Sequence, residues 1–442
     1  MPVLNKPRVY LETYGCQMNF ADSELVAAIL EENLAEMTSD IAKADVILVN
    51  TCAIREHASQ RVMQQLHRYQ QQKLQRPEVV IGVLGCMSSH LKEEISQERP
   101  WVDLVVGPDS YRQLPQLITA RRAELPTSVV TGLDRYETYE QIFPRRDAGV
   151  NAWVTITRGC DNFCSYCVVP FARGRERSRP LSAIQAEMEQ VVREGFREVT
   201  LLGQNVNSWR EGDNRFPELL EAVTQVAGIE RIRFISPHPR DFSQRLLEVI
   251  RDIPQVMNHI HLPLQSGSDP VLERMNRGYT ASGFIELAQR ARATVSELAI
   301  STDIIVGFCG ESEADFEATL ALVREVEFDS AFTFKYSERS GTIAAREYED
   351  DVPAVIKGAR LDQLMELQNG ITRRRNSACI GREFAVMAEG PSRKLATEWM
   401  GRTGCNRIVV FPFQAGLLPG RVLPVRIEEL SGFTLRGNVT QK

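Results

Sequence analysis

The sequence predicts an α/β chain built in three parts. These are an N-terminal parallel α/β sheet domain, a partial (β/α)6 barrel and a small C-terminal antiparallel β-barrel. Three observations predict it. Short apolar runs alternate with helical stretches through most of the chain, the pattern of a parallel sheet covered by helices. A polar stretch at residues 134–150, with Pro144 and Gly149, interrupts the alternation before it resumes. Beyond residue 377 only short β-rich runs remain, divided by Gly and Pro. The length of 442 residues agrees with about three domains.

In the first part, residues 9–14, 46–50 and 79–84 read as strands, and residues 23–32, 55–71 and 110–120 as helices. In the second, strands are expected at residues 153–157, 199–202, 231–235, 259–263, 298–306 and 330–336. Helices are expected between them at residues 183–193, 218–226, 242–250, 283–294 and 313–324. Such arrays place their sites at the carboxyl ends of the strands. In the third part, residues 383–388, 407–411 and 421–428 read as strands of a small barrel.

The hydrophobic fraction of 43% and charged fraction of 25% are those of an ordinary globular protein. Apolar stretches such as residues 79–84 fall far short of the roughly 20 residues that span a bilayer. The first eight residues carry no apolar run, so no secretory leader is expected and a cytoplasmic location follows. Charge is uneven. Residues 371–442 hold twelve Lys/Arg against five Asp/Glu, although the whole chain is at −6. A basic tail on an acidic body points to a nucleic-acid-binding module joined to an enzyme.

Nine cysteines in a chain of this size and class suggest metal or catalysis rather than a disulfide framework. Cys160, Cys164 and Cys167 follow directly on the first strand of the second part, in a loop at its carboxyl end. Thiolates suit iron–sulfur clusters and zinc. A structural zinc takes four closed ligands, and no fourth Cys or His stands nearby. A cubane on three thiolates leaves one iron open for a ligand. Cys16, Cys52 and Cys86 form a second set, each immediately after a predicted strand. Parallel strands end on one sheet edge, so these three can converge there, with Gly15 and Gly85 allowing tight turns. Buried core thiols would not explain why all three hold the same position. Cys309, Cys379 and Cys405 read as structural.

The Arg158-Gly-Cys-Asp-Asn-Phe-Cys-Ser-Tyr-Cys run resembles the signature of the radical S-adenosylmethionine (SAM) superfamily. The two triplets in this order, followed by a basic β-domain, resemble the radical SAM methylthiotransferase family over nearly the whole chain. Tyr14-Gly-Cys-Gln-Met-Asn, Asn50-Thr-Cys-Ala-Ile-Arg-Glu-His-Ala and the run Cys167-Val-Val-Pro-Phe-Ala-Arg-Gly-Arg-Glu-Arg-Ser-Arg-Pro are most similar to its MiaB-type branch. The resemblance implies a methylthiotransferase N-terminal domain at residues 7–123, a radical SAM core at 146–376 and a TRAM domain at 378–441. It further implies two [4Fe-4S] clusters. One, on Cys160, Cys164 and Cys167, would bind SAM and generate the 5′-deoxyadenosyl radical. The other, on Cys16, Cys52 and Cys86, would carry the sulfur. Two SAM molecules would be used for each product, the 2-methylthio derivative of N6-dimethylallyl (isopentenyl) adenosine at position 37 of tRNA.

Further motifs extend the resemblance. Leu202-Gly-Gln-Asn-Val-Asn, His261-Leu-Pro-Leu-Gln-Ser-Gly-Ser and Asp303-Ile-Ile-Val-Gly-Phe-Cys-Gly-Glu follow strands. They imply contacts to SAM or the base from Gln204, Asn205, Ser236, His238, Gln265, Ser266, Asp303 and Gly307. The chain departs from the family pattern in Cys309, where Pro is usual, and in Ile235-Ser-Pro-His-Pro, where Thr-Ser-His-Pro is usual.

Arg173, Arg175, Arg177 and Arg179 alternate just past the first triplet, and Arg393, Lys394, Arg402 and Arg407 lie in the C-terminal part. Arg173, Arg175, Arg177, Arg179, Arg393 and Arg402 are therefore expected to meet RNA phosphates. The partners implied are the tRNA anticodon stem-loop, a low-potential electron donor such as flavodoxin or ferredoxin, and a sulfur source. No membrane contact is expected, and a monomer is. The alternatives within the family are tRNA bearing threonylcarbamoyladenosine and a ribosomal-protein aspartate. A non-catalytic electron carrier would need neither the SAM motifs nor a basic module.

Overall fold

A computed structural model of the chain describes residues 6–33, 35–52, 56–392, 394–395 and 397–440. Residues 53–55, at the end of the Asn50 motif and the start of a predicted helix, and Arg393 lie outside the described residues.

The first part is a six-stranded parallel sheet. Its strands are β1 (Arg8–Tyr14), β2 (Glu36–Met37), β3 (Val46–Thr51), β4 (Val80–Gly85), β5 (Leu104–Val106) and β6 (Ser128–Val130), in the order β2-β1-β3-β4-β5-β6. β3 and β4 are buried along their whole length. Continuous apolar runs such as Val46-Ile-Leu-Val suit them, because helices cover both faces. Helix α1 (Gln17–Glu32) and the helix Leu114–Arg122 close one face, while the helix Glu56–Gln75 closes the other.

The second part holds two parallel three-stranded ladders side by side. One comprises β7 (Asn151–Thr155), β8 (Glu198–Leu202) and β9 (Arg231–Phe234). The other comprises β10 (His259–His261), β11 (Ala299–Val306) and β12 (Ser330–Lys335). Helices pack outside, and alternate strand residues such as Val154, Leu201, Phe234, Ile260 and Ile304 share one core with them. The intervening residues line the inner face.

The third part is a closed five-stranded barrel, reached through the long helix Ala354–Ser377. The sequence predicts three of its strands; Glu398–Thr403 and Thr434–Val439 complete it. The barrel closes the lower end of the core. Arg231 donates to the carbonyls of Arg402 and Ala385 at 2.7 and 2.9 Å, and Arg233 to those of Gly404 and Thr403, both at 2.9 Å. A cleft of about 390 Å³ runs along this seam, lined in part by Cys379 and Cys405. Its Arg374, Arg375, Arg382 and Arg407 each pair with a carboxylate.

Residues 134–150 are not the loose polar linker the composition suggests. Tyr139 is buried, stacks on Tyr111 at 6.0 Å and donates to the Pro108 carbonyl at 2.9 Å. Arg146 is buried among carboxylates of two domains, pairing with Glu187 and lying 3.8 Å from Glu24 of α1. The connector is a strap that fastens the first sheet to the barrel.

Candidate functional site

Strand β7 delivers the chain to the first triplet. The two-residue strand Thr157–Arg158 pairs antiparallel with Arg177–Ser178, and Gly159 then turns into the loop. Gly159 has φ 79°, and a Cβ there would run into the carbonyl of Arg175, so no other residue fits. Cys160 N–H donates to Gly174 O at 3.1 Å, and Cys167 N–H to Cys164 O at 2.9 Å. Ser165 fastens the loop to the far ladder through the carbonyls of Met275 and Arg274, at 3.1 and 2.7 Å. Arg277, itself buried, donates to Cys164 Sγ at 3.1 Å and to Pro263 O at 3.1 Å. Burial pushes the Cys160 thiol up to about 11, and it also raises Cys167, next to Cys164. Without a cation these thiols hold their protons.

The second triplet is built by three motifs that interlock. Cys16 is the N-cap of α1, Cys52 follows β3, and Cys86 begins the helix Cys86–Leu91 after β4. Asn19 donates to Asn50 Oδ1 at 3.1 Å, and Asn50 donates back to Asn19 O and to Ser23 Oγ, each at 2.9 Å. Gly85, at φ 91°, leaves room for the Asn50 amide, and a Cβ there would strike it. The Asn of each short motif therefore fixes where the thiols stand. Hydrogen bonding with Cys52 lowers the Cys16 thiol to about 6, against the opposing effect of burial, and Arg173 adds to the lowering.

Among the described residues, no three His, Cys, Asp or Glu side chains close around one point tightly enough for a single metal ion. A cubane spreads its thiolates wider, because each binds a different iron. Both donor sets fit such a cluster: three thiols each, with a buried guanidinium on one sulfur of each set. In the second set that guanidinium is Arg173, whose Nε donates to Cys86 Sγ at 3.0 Å. Its Nη1 is buried with no partner in the protein, a donor suited to an inorganic sulfur.

The two triplets adjoin. Cys86 packs against Val168, the residue after Cys167, and against Ala172. One buried carboxylate joins the two sides: Asp22 of α1 accepts from Arg158 at 2.9 Å and from Arg173 at 2.7 Å. Arg158 stands two residues before Cys160. Neither Asp22, Arg158 nor Arg277 is marked by sequence reasoning, since their partners are far away along the chain.

Three of the arginines expected to meet RNA do not point outward. Arg173, Arg177 and Arg179 are buried and neutralised by Asp22, Asp109 and Glu187. A guanidinium committed to an internal carboxylate is not available to phosphate. Arg175 alone of the four is exposed, and it lies 2.7 Å from Asp161. Arg402 is held by Glu389 at 2.9 Å and Asn406 at 3.2 Å. Lys394, Arg421 and Arg426 are exposed on the small barrel. The sequence singles out Lys394, whereas only the overall basic count of this part signals Arg421 and Arg426.

The residues expected near SAM gather at the upper strand ends. Gln204 Oε1 accepts from Gly159 N–H at 2.6 Å, beside Cys160. Asn205 accepts from His238 N–H at 3.2 Å and donates to Asp241 at 2.8 Å. Ser236 and Gln265 adopt left-handed φ of 62° and 71°. Asp303 lies 3.1 Å from His261. Two members are less suited to a ligand. Ser266 is buried, and its hydroxyl accepts from Ser268 N–H at 3.2 Å beside Thr319. Gly307 N–H donates to Glu311 at 2.7 Å, and its Cα faces the Lys357 side chain. His238 Nε2, by contrast, is buried and has no partner, so a polar group is wanted there.

Burial, with Arg277 and Arg240 nearby, lowers His238 from 6.5 to about 2. The unfolded imidazole takes a proton below its ordinary value, whereas the folded one does not. His238 therefore weakens folding as pH falls below about 6.5, by about 1.4 kcal/mol per pH unit. Urea midpoints measured from pH 7 to pH 5 are expected to fall, and less steeply in His238→Gln.

An open-cornered thiol triplet above a (β/α)6 barrel defines the class: a radical SAM enzyme. Residues 154–323 match the Radical SAM superfamily model, residues 8–107 the uncharacterized protein family UPF0004, and residues 377–440 the TRAM domain. The chain is 46% identical to the tRNA-2-methylthio-N(6)-dimethylallyladenosine synthase of Porphyromonas gingivalis strain W83, over 98% of this chain and 95% of that protein. It is 45% identical to the synthase of the same name from Chloroherpeton thalassium, over 98% and 96%. The chain belongs to this family, the tRNA-2-methylthio-N(6)-dimethylallyladenosine synthases, whose members work with SAM and two [4Fe-4S] clusters.

Among solved structures, the fold resembles the radical SAM methyltransferase TsrM from Kitasatospora setae, bound to cobalamin and a [4Fe-4S] cluster. The TM-score is 0.58 at 14% identity, covering 77% of this chain and 74% of that one. The cobalamin-dependent SAM radical enzyme OxsB gives 0.52 at 13% identity, covering 84% and 56%. Among the described residues no helix is long and apolar enough to cross a membrane.

Proposed function

We propose that this chain converts N6-dimethylallyladenosine at position 37 of tRNA, beside the anticodon, to its 2-methylthio derivative. The observation that carries this is the meeting of two three-thiol sets, Cys86 against Val168, at the carboxyl ends of two parallel sheets. One set alone supports only radical generation. A second set beside it supports sulfur delivery to the same substrate atom.

Cys160, Cys164 and Cys167 would hold one cluster and the SAM that binds it. Cys16, Cys52 and Cys86 would hold the other. When bound, two clusters and two SAM molecules per product would supply the radical chemistry at adenine C2 and the methylated sulfur. The chain's own residues orient and exclude. Gln204 fixes the Gly159 turn, and Asn205 fixes the backbone of His238. The unpartnered His238 Nε2 receives a polar group of SAM, and Gln265, Ser236 and Asp303 border the same space. The adenine leaves its stack to reach this site, as buried chemistry on a base requires. Phosphates meet Arg175 and the exposed Lys394, Arg421 and Arg426.

The chain acts as a cytoplasmic monomer, with a flavodoxin or ferredoxin as electron donor and a separate sulfur source. The threonylcarbamoyladenosine and ribosomal-aspartate alternatives are not favoured by the names of its relatives. The test is anaerobic reconstitution with isopentenylated tRNA deuterated at adenine C2. Deuterium is expected in the 5′-deoxyadenosine released, with the methylthio nucleoside as product. Deuterium left in the tRNA would refute the assignment.

A further inference from the structure

The inner face of the barrel is covered on one side and leaves two phenylalanines exposed on the other. On the β7–β9 side, Met18 and Ala21 of α1 pack against Leu202, with Trp153 and Ile235 alongside. On the β10–β12 side Ile305 packs toward Phe308 and Tyr336 at the upper end, while Phe332 and Phe334 stay exposed. The pairing of β11 with β12 sets Phe332 beside Asp303 and Phe334 beside Ile305. Residues in register on parallel strands point to the same face. The opposite face of β11, with Ile300, Ile304 and Val306, is buried in the main core. Phe332 and Phe334 therefore face the lumen, where they are left 55% and 39% exposed. His261 meets the Phe332 ring edge-on at 5.9 Å and its Nε2 lies 3.1 Å from Asp303.

Two phenyl rings left bare inside a lumen form a surface that an apolar occupant would complete. We propose that Phe332 and Phe334, with Ile305, form the wall that receives the dimethylallyl chain of the tRNA adenosine, and that the wall selects this nucleoside. The inference rests on the preceding functional proposal. Two observations choose the occupant. The wall shares the lumen whose upper rim carries Cys160, Cys164 and Cys167, so a base reaching the thiols brings its N6 substituent into the same space. Asp303 stands beside the wall as well. A five-carbon hydrocarbon chain tolerates that neighbour, whereas the carboxylate of a threonylcarbamoyl group would meet an acidic side chain and two rings that cannot solvate it.

The experiment measures binding of three anticodon stem-loops to the cluster-loaded full chain. They carry isopentenyladenosine, unmodified adenosine or threonylcarbamoyladenosine at the same position. The wild-type chain is expected to prefer the isopentenyl form over the unmodified one by about tenfold or more, as a hydrocarbon pocket does for a few carbons. Phe332→Ser combined with Phe334→Ser is expected to bring that ratio to about one, while Phe332→Leu keeps most of it. Both rings are exposed, so iron content and circular dichroism serve to show that the variants fold. A ratio unchanged in the folded double serine variant overturns the proposal. So does a loss of SAM affinity with the RNA ratio intact, which would assign the wall to the cofactor. A wild-type chain that forms the methylthio product yet binds all three RNAs alike overturns this inference alone. One that forms no product from isopentenylated tRNA overturns the functional proposal itself.

Discussion

Asp22→Asn is expected to destabilise the folded chain by about 3–5 kcal/mol, the cost of breaking a buried ion pair from one side. Asp22 is fully enclosed and accepts from Arg158 and Arg173 at once. Two arginines already share this one carboxylate. Removing the carboxylate strands both guanidiniums inside the protein, where the lost solvation is not replaced. Arg173 also holds Cys86, so the second triplet should lose its iron first. A double variant, Asp22→Asn with Arg173→Met, should recover part of the stability, because a buried charge leaves with its partner. The contrast is Arg175–Asp161, a pair largely open to water. Asp161→Asn there should change stability by less than about 1 kcal/mol. Urea denaturation followed by circular dichroism, with iron analysis of each variant, measures all three.

Cys160→Ala is expected to abolish methylthio product and SAM cleavage together. It removes one of only three thiols in its set, and no other Cys or His stands close by to replace it. Iron should fall from about eight atoms per chain to about four. Changing Cys16, Cys52 and Cys86 together should give the same iron count and the same loss of product, yet leave the electron paramagnetic resonance signal of the SAM-binding cluster. An iron content that stays near eight in the second variant would remove the N-terminal cluster from the account.

Local rules made much of this legible. Both triplets follow strands directly, and Gly15, Gly85 and Gly159 mark the turns, so their place at the strand ends could be read. Strand–helix alternation was equally plain, because buried parallel strands such as β3 and β4 are apolar throughout. The arginine run after Cys167 was misleading. Alternating Arg173, Arg175, Arg177 and Arg179 read as a charged surface, but three turn inward to carboxylates that nothing local reveals; Asp22 lies 151 residues from Arg173. The connector misled in the same way, its polar composition hiding Tyr139 and Arg146. In the small barrel, Glu398–Thr403 escaped notice because Trp399 is its only large apolar residue pointing inward and Gly401 breaks the run. Gly401 is small for a reason: a Cβ there would press into the backbone of Met387 on the neighbouring strand. Phe332 and Phe334 carried no signal of their own, since alternation does not say which face of a strand looks into a lumen.

The most direct test of the central claim is nucleoside mass spectrometry of tRNA from a host lacking this activity, with and without the chain expressed. The methylthio derivative of isopentenyladenosine should appear only with the chain, while its precursor falls in proportion. An unchanged precursor, with the new mass instead on threonylcarbamoyladenosine or on a ribosomal protein, would contradict it.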